Sequence, residues 1–512
     1  MKKGGAQYSS TFTHILYKAQ AARCIATKCL PQANQKIHQA NLGIHYANLG
    51  NSKHTIPCPA TNHENNMQRR LLIDHVIMVN EGREFKGALL IENEHIGRIF
   101  EGEVDYSSIA TDAIIDAEGC YLIPGVMDEH VHFRDPGLTY KADMESESRA
   151  AAAGGVTTVF DMPNTKPQTT TTEALREKFS IAAKKCCINY GFFLGATTDN
   201  TDALLHLNPR KVAGVKLFMG ASTGNMLVDD DKALRKIFQV SKMPVMVHCE
   251  DSQIINDNMK ACKEKNGEDP DIKFHPLIRS EEACVASTTK AVELAKEYGT
   301  RLHVAHISTE RELALFSPEH PNITAEICVP HLLFCDEDYA RLGARIKCNP
   351  AVKTKADREA LRKALNDGTA ATIATDHAPH AIYEKIGGAA KALSGMPMVQ
   401  FSLVSMLELV DKGILPMTRL VELMCHAPAR LFNVELRGFL REGYKADLVL
   451  LRPHAPWTLT PNRIESKCNW SPMEGHVFNW RVEKTYCNGF LLYNQGHITN
   501  EAFRGQPVTF DR

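Results

Sequence analysis

From residue 121 onward the chain repeats one phrase: an apolar, β-branched run ending on a polar residue, then a stretch with helical spacing. The runs "YLIPGVMDEHVH", "VTTVFDMPN", "INYGFFLGATT", "VAGVKLFMG", "MPVMVHCE", "RLHVAHIS", "NITAEICVPH" and "TIATDHAPH" read as strands. Between several of them, stretches such as "DKALRKIFQVSK" and "SEEACVASTTKAVELAKEYG" read as helices. Phrases of this kind over about 260 residues predict an α/β protein, a (β/α)8 barrel of the TIM type, for which roughly 250 residues is typical. A doubly wound open sheet is the alternative, but no Gly-rich dinucleotide turn opens the first βα unit.

The flanks follow another rhythm. Residues 67–120 carry short alternating strands with Asn-Glu-Gly and Glu-Asn-Glu turns, and "LRGFLREGYKADLVLLRP" and "VEKTYCNGFLLYNQGHI" return to that pattern after the barrel. The expected organisation is a barrel over 121–435 and a small β-domain assembled from 67–120 and 436–512. Residues 1–66 differ again. No acid precedes Glu64, while Lys2, Lys3, Lys18, Arg23, Lys28, Lys36 and Lys53 supply positive charge. An organelle-targeting leader is one reading of such a segment. The low Arg content and the many Gln, Asn and His favour a disordered extension ahead of a start at Met67.

Composition narrows the class. With 512 residues, 44% hydrophobic and 23% charged, the chain can bury a large core. A net charge of −1 gives no reason to expect nucleic acid or an anionic membrane surface as partner. No apolar run approaches the roughly 20 residues that span a bilayer. The 15 cysteines stand singly apart from Cys186-Cys187, with no CxxC pair, and read as reduced thiols of a cytoplasmic protein.

Residues 128–137, "DEHVHFRDPG", hold the first candidate chemistry. In a strand, side chains two apart share a face, so His130 and His132 point together and Arg134 continues the row past the strand end. Alone, the two could equally be ordinary buried histidines. The other strand ends change that balance. Lys216, His248, His306 and Asp376 each fall at or near the end of an apolar run, where barrel enzymes carry their reactive groups. His303 sits earlier in its strand and reads as structural. Lys216 is the odd member, because an ammonium cannot bind a cation. A neutral lysine, its pKa lowered by burial and nearby positive charge, can take up CO2 to give an anionic carbamate. Four imidazoles, one bridging carbamate on Lys216 and one carboxylate would hold two divalent ions, with zinc the first choice.

Together, "PGVMDEHVHFRDPG", "AGGVTTVFDMPNT", "GVKLFMG", "VHCED", "HVAHIST", "KCNP", "TDHAPH" and "SKCNWSPMEG" carry a resemblance. From about residue 68 to 500 the chain resembles the cyclic amidohydrolases of the amidohydrolase superfamily, and among them the dihydroorotases. Arg134 after the HxH pair, "MPNT" and "DHAPH" carry the narrower likeness; allantoinases typically show Asn at the Arg134 position and hydantoinases an acidic or other residue. One departure is the strand-4 lysine, which many longer-chain dihydroorotases lack and which allantoinases and hydantoinases keep. An allantoinase or a hydantoinase/dihydropyrimidinase is therefore the alternative. A catalytically inert scaffold is disfavoured because every ligand residue is present.

The resemblance implies exchange between N-carbamoyl-L-aspartate and dihydroorotate, a step of pyrimidine synthesis, with Asp376 as catalytic proton carrier. It implies Arg134, Asn164 and His380 around the substrate carboxylate, with Asn349 and the backbone at Ser394-Gly395 on the ring amide groups. Asn164 after Pro163 and Asn349 before Pro350 also read as turn residues. The Gly-rich "EKIGGAAKALSG" is expected as a mobile cover over the site. Homodimers are common in the family.

Overall fold

The computed structural model describes residues 69–512 apart from 104, 106–108, 221–225 and 318. The reading of residues 1–66 lies outside the described residues. Eight parallel strands run β1 (Val126–Val131), β2 (Val156–Asp161), β3 (Asn189–Gly195), β4 (Gly214–Met219), β5 (Val245–Cys249), β6 (Leu302–Val304), β7 (Ile323–Cys328) and β8 (Ala370–Ala374), each hydrogen-bonded to the next in order. A bridge between Val131 and His377 closes the ring, and His132 N donates to His377 O at 2.7 Å. All residues of β1 to β5 are buried, as strands covered on both faces by helices and core should be. The (β/α)8 barrel expected from the strand rhythm is present.

The two helices marked in the sequence form with the ends their residues specify. Asp230 caps Asp231–Val240 by accepting from Ala233 N. Ser280 does the same for Glu281–Tyr298, which carries Glu281 and Glu282 in its first turn. Gly299 ends that helix at φ 67°, a left-handed conformation that costs glycine little.

A second sheet draws on both flanks. Its order is His497–Ile498, Phe490–Asn494, Arg481–Cys487, Leu448–Arg452, Tyr121–Pro124, Arg70–Asn80, Arg83–Glu92 and His95–Glu101, with Ala113–Asp116 paired to Arg70–Asn80. Met78, Leu89, Leu122, Leu448, Leu450 and Tyr486 form its core. One strand reading needs correcting. "YLIPGVMDEHVH" is two strands, and Tyr121–Pro124 belongs to this sheet, antiparallel to Leu448–Arg452 and parallel to Arg70–Asn80. The break is at Gly125, where an added Cβ would lie 2.0 Å from Thr157 Oγ1. Only glycine lets the chain pass that close to β2 as it crosses from sheet to barrel. No helix among the described residues is long and apolar enough to cross a membrane.

Candidate active site

At the C-terminal ends of the barrel strands lies a cavity of about 790 Å³. Every residue singled out in the sequence lines it: His130, His132, Arg134, Asn164, Lys216, His248, His306, Asn349, Asp376, His380, Ser394 and Gly395. Several arrive through bent backbone rather than along the strand. Arg134, His306 and Asp376 have φ of 66°, 42° and 48°, a left-handed region that non-glycine residues occupy at a cost of order 1–3 kcal/mol. Because β1 stops at Val131, Arg134 reaches the cavity through that turn and not as the next member of a straight row. β6 likewise ends at Val304, before His306.

The imidazoles gather in two groups. Asp376 Oδ1 lies 3.0 Å from His132 Nε2 and 3.3 Å from His130 Nε2. His248 Nδ1 faces His306 Nε2 at 2.9 Å. The outer nitrogens of two rings meet acceptors: His130 Nδ1 meets Glu326 Oε1 at 2.8 Å and His132 Nδ1 meets Asn164 Oδ1 at 2.8 Å, while His248 Nε2 lies 2.9 Å from Glu250 Oε2 without hydrogen-bond geometry. An outer N–H held in this way turns the inner lone pair toward the cavity. Burial lowers the pKa of His132 to about 4 and also lowers those of His248 and His306, so the rings are neutral, the form that binds metal.

Lys216 Nζ is fully buried and has no hydrogen-bond partner among the described residues. Burial lowers its pKa, against the opposing pull of Glu326 and Asp376. A bare amine facing four imidazoles and a carboxylate is an unusual thing to bury, unless the nitrogen carries a further group or faces ions. His130, His132 and Asp376 also present ligand atoms within 4.8 Å of one another. The donor set fits divalent metal.

The same cavity is also lined by the cationic Arg134 and Lys141. Arg134 Nε donates to Pro379 O at 3.1 Å, and its Nη2 is 3.3 Å from His380 Nε2. Lys141 Nζ is 3.0 Å from His380 Nδ1. Asn349 Oδ1 is buried without a partner among the described residues. Ser394 O faces His380 Nε2 at 2.9 Å, while Gly395 N donates to Lys347 O and Gly395 O accepts from Lys385 Nζ. The Gly-rich cover, expected to be mobile, is tied at several points. Asp269 accepts from the backbone N of Gly388, Ala390 and Lys391 at 2.8–3.2 Å, and Lys347 Nζ donates to the carbonyls of Ala389 and Ala392.

Two participants escaped the sequence reading. Glu326 on β7 is buried and accepts from both His130 Nδ1 and His306 N at 2.8 Å. Its only signal is one acid in the middle of the apolar run "ITAEIC". Lys141, beside His380, follows an exposed tyrosine and carried no signal at all. His303 lies beneath the site, its Nδ1 2.8 Å from Thr324 Oγ1.

A closed parallel barrel gathers imidazoles, a carboxylate and a buried amine around one cavity, a donor set that could hold divalent metal. The chain belongs to the amidohydrolase family, whose model matches residues 121–491. Among curated relatives, a dihydroorotase of Methanosarcina acetivorans is 33% identical over 82% of this chain and 91% of its own length. An allantoinase of Bacillus velezensis is 32% identical over 75% of this chain and 86% of its own. Among solved structures, the L-hydantoinase (dihydropyrimidinase) of Arthrobacter aurescens superposes with a TM-score of 0.82 at 28% identity, covering 86% of this chain and all of that one.

Proposed function

We propose that the chain is a dihydroorotase, interconverting dihydroorotate and N-carbamoyl-L-aspartate. The carrying observation is that one cavity is lined both by four imidazoles and by the cationic Arg134, which suits a cyclic amide bearing a carboxylate. Several curated relatives bear that name, the Methanosarcina acetivorans protein among them. Two zinc ions would be held by His130, His132 and Asp376 and by His248 and His306, with Lys216 as its carbamate between them. When bound they supply Lewis acidity and a water acidic enough to ionise near neutral pH.

The chain's own residues do the rest. Arg134 offers a planar fork to the substrate carboxylate, with Asn164 and His380 beside it. Asn349, its carbonyl oxygen unpartnered, meets an amide N–H of the ring. Asp376 takes the proton of the attacking water and returns it to the ring nitrogen as the C–N bond breaks. The reverse sequence closes the ring. His130 and His132 keep their orientation through Glu326 and Asn164, and Glu326 also holds the backbone N of His306. The 12 described cysteines are all unpaired, which suits the reducing cytoplasm as the place of work.

The test is turnover by the purified, zinc-loaded protein of dihydroorotate, allantoin, hydantoin and dihydrouracil at matched concentration. Dihydroorotate is expected to be the preferred ring. Faster turnover of allantoin or hydantoin would replace this reading with that of a neutral cyclic-amide hydrolase on the same metal floor.

A further inference from the structure

His380 stands between two cations, and its neighbours do not agree on where its hydrogen should be. Burial, Arg134 and Lys141 drive its pKa far down, so the ring is neutral and one nitrogen alone carries a hydrogen. Nδ1 faces Lys141 Nζ at 3.0 Å and Glu384 Oε2 at 3.3 Å. Nε2 faces Ser394 O at 2.9 Å and Arg134 Nη2 at 3.3 Å. An ammonium only donates and a carbonyl only accepts. The two short contacts therefore describe one tautomer: Lys141 donates to a bare Nδ1, and Nε2–H donates to Ser394 O. The two longer contacts describe the other, with Nδ1–H on Glu384 and a bare Nε2 accepting from Arg134. Distance favours the first.

The choice has a consequence for Arg134. In the first tautomer Nε2–H is spent on Ser394 O, and Arg134 Nη2, 3.3 Å away and buried, finds no acceptor on the ring. A buried guanidinium N–H left free in this way makes a place for an anion. In the second tautomer Arg134 spends its Nη2 on the ring and that place closes. Glu384 is itself held away from His380, since Tyr140 Oη donates to its Oε1 at 2.6 Å, Lys141 Nζ lies 3.4 Å from the same oxygen, and Ala381 N donates to Oε2 at 2.9 Å. Lys141, although burial and Arg134 lower its pKa to about 8, is still mostly an ammonium at neutral pH.

The geometry points to Lys141 as a specificity-determining positioning residue: it fixes His380 as the Nε2–H tautomer, turned to Ser394 O, and so keeps the Arg134 Nη2 donor open to the substrate's carboxylate. This rests on the dihydroorotase reading for the identity of the anion, but not for the tautomer.

The two parts are read separately. In protein labelled with 15N-histidine, the His380 ring signals, assigned by their loss in His380→Gln, report the tautomer without any substrate. Wild type is expected as Nε2–H, Lys141→Arg likewise, and Lys141→Met as Nδ1–H. For dihydroorotate, Lys141→Met is expected to raise KM about tenfold, the worth of one charge-assisted bond, with kcat within about threefold and Lys141→Arg restoring KM. An Nδ1–H ring in wild type overturns the inference without any variant, which guards against a Lys141→Met chain that does not fold. An unchanged tautomer in folded Lys141→Met, or a fall in kcat alone, overturns it as well. Wild type that leaves dihydroorotate untouched refutes the functional reading instead, and the tautomer comparison still decides this one.

Discussion

Glu326→Gln is the most informative single change at the metal floor, because one carboxylate there supports residues from two strands. Its side chain is buried and accepts from His130 Nδ1 and His306 N, both at 2.8 Å, and from Cys328 Sγ at 3.2 Å. Burial pushes its pKa up, yet His130, His303 and Lys216 hold it down to about 2, so it works as an anion. Hydrogen bonds to charged groups contribute about 1.5–3 kcal/mol against roughly 1 for neutral ones. Glutamine keeps the shape and one acceptor but loses that difference, about 0.5–2 kcal/mol. At about 1.4 kcal/mol per factor of ten, this is about 2–30-fold in metal affinity, reaching the lower end of the 10–100-fold range seen for partners behind a ligand. Zinc affinity measured by competition with a chelator is the assay, with the melting temperature of the metal-free protein as control. A weaker zinc affinity with little change in the metal-free melt is expected. Equal affinity in both proteins would refute the assignment of Glu326 as the support of His130, and with it the ligand role of that histidine.

Lys216→Ala is expected to lose metal and turnover, with propionate restoring part of both by standing in for the carbamate; full zinc occupancy in the alanine protein would remove the carbamate from the account. Lys178→Met leaves buried Asp161 without the ammonium now 2.6 Å from its Oδ2, at a cost of about 3–5 kcal/mol in urea unfolding; a change below about 1 kcal/mol would contradict the pairing. Asp269→Ala frees three backbone N–H groups of the 388–391 cover, so hydrogen exchange there is expected to quicken while the barrel strands stay protected. Unchanged exchange would show that Lys347 and Lys385 hold the cover without it.

Periodicity carried the fold, because barrel strands are buried on both faces and read as unbroken apolar runs. It failed where a run crosses between sheets. In "YLIPGVM" the Pro124-Gly125 pair is the one mark of the change, set in a run that is apolar on both sides, and the steric cause is Thr157 on the next strand. The site was legible to the extent that its ligands close such runs. His130, His132, His248, His306 and Asp376 stand near or just past strand ends, whereas Lys216, also read as a strand-end residue, lies in the middle of β4; all six line one cavity. The supporting partners were not legible. Glu326 meets His130 across 196 positions of chain and Lys141 meets His380 across 239, and no local pattern encodes such a pairing. The cover read as mobile from its glycines; its anchors, Asp269 and Lys347, come from other segments.

If Arg134 selects a carboxylate, dihydrouracil is the ring that shows it, because it is dihydroorotate without that group. The measurement is the ratio of kcat/KM for the two rings in wild type and in Arg134→Met. A site built around a polar group rejects an analogue lacking it by roughly 10^4-fold, so wild type should favour dihydroorotate on that scale and Arg134→Met should lose most of the preference through KM. Comparable rates for the two rings in wild type, or a preference that survives Arg134→Met, would contradict the account.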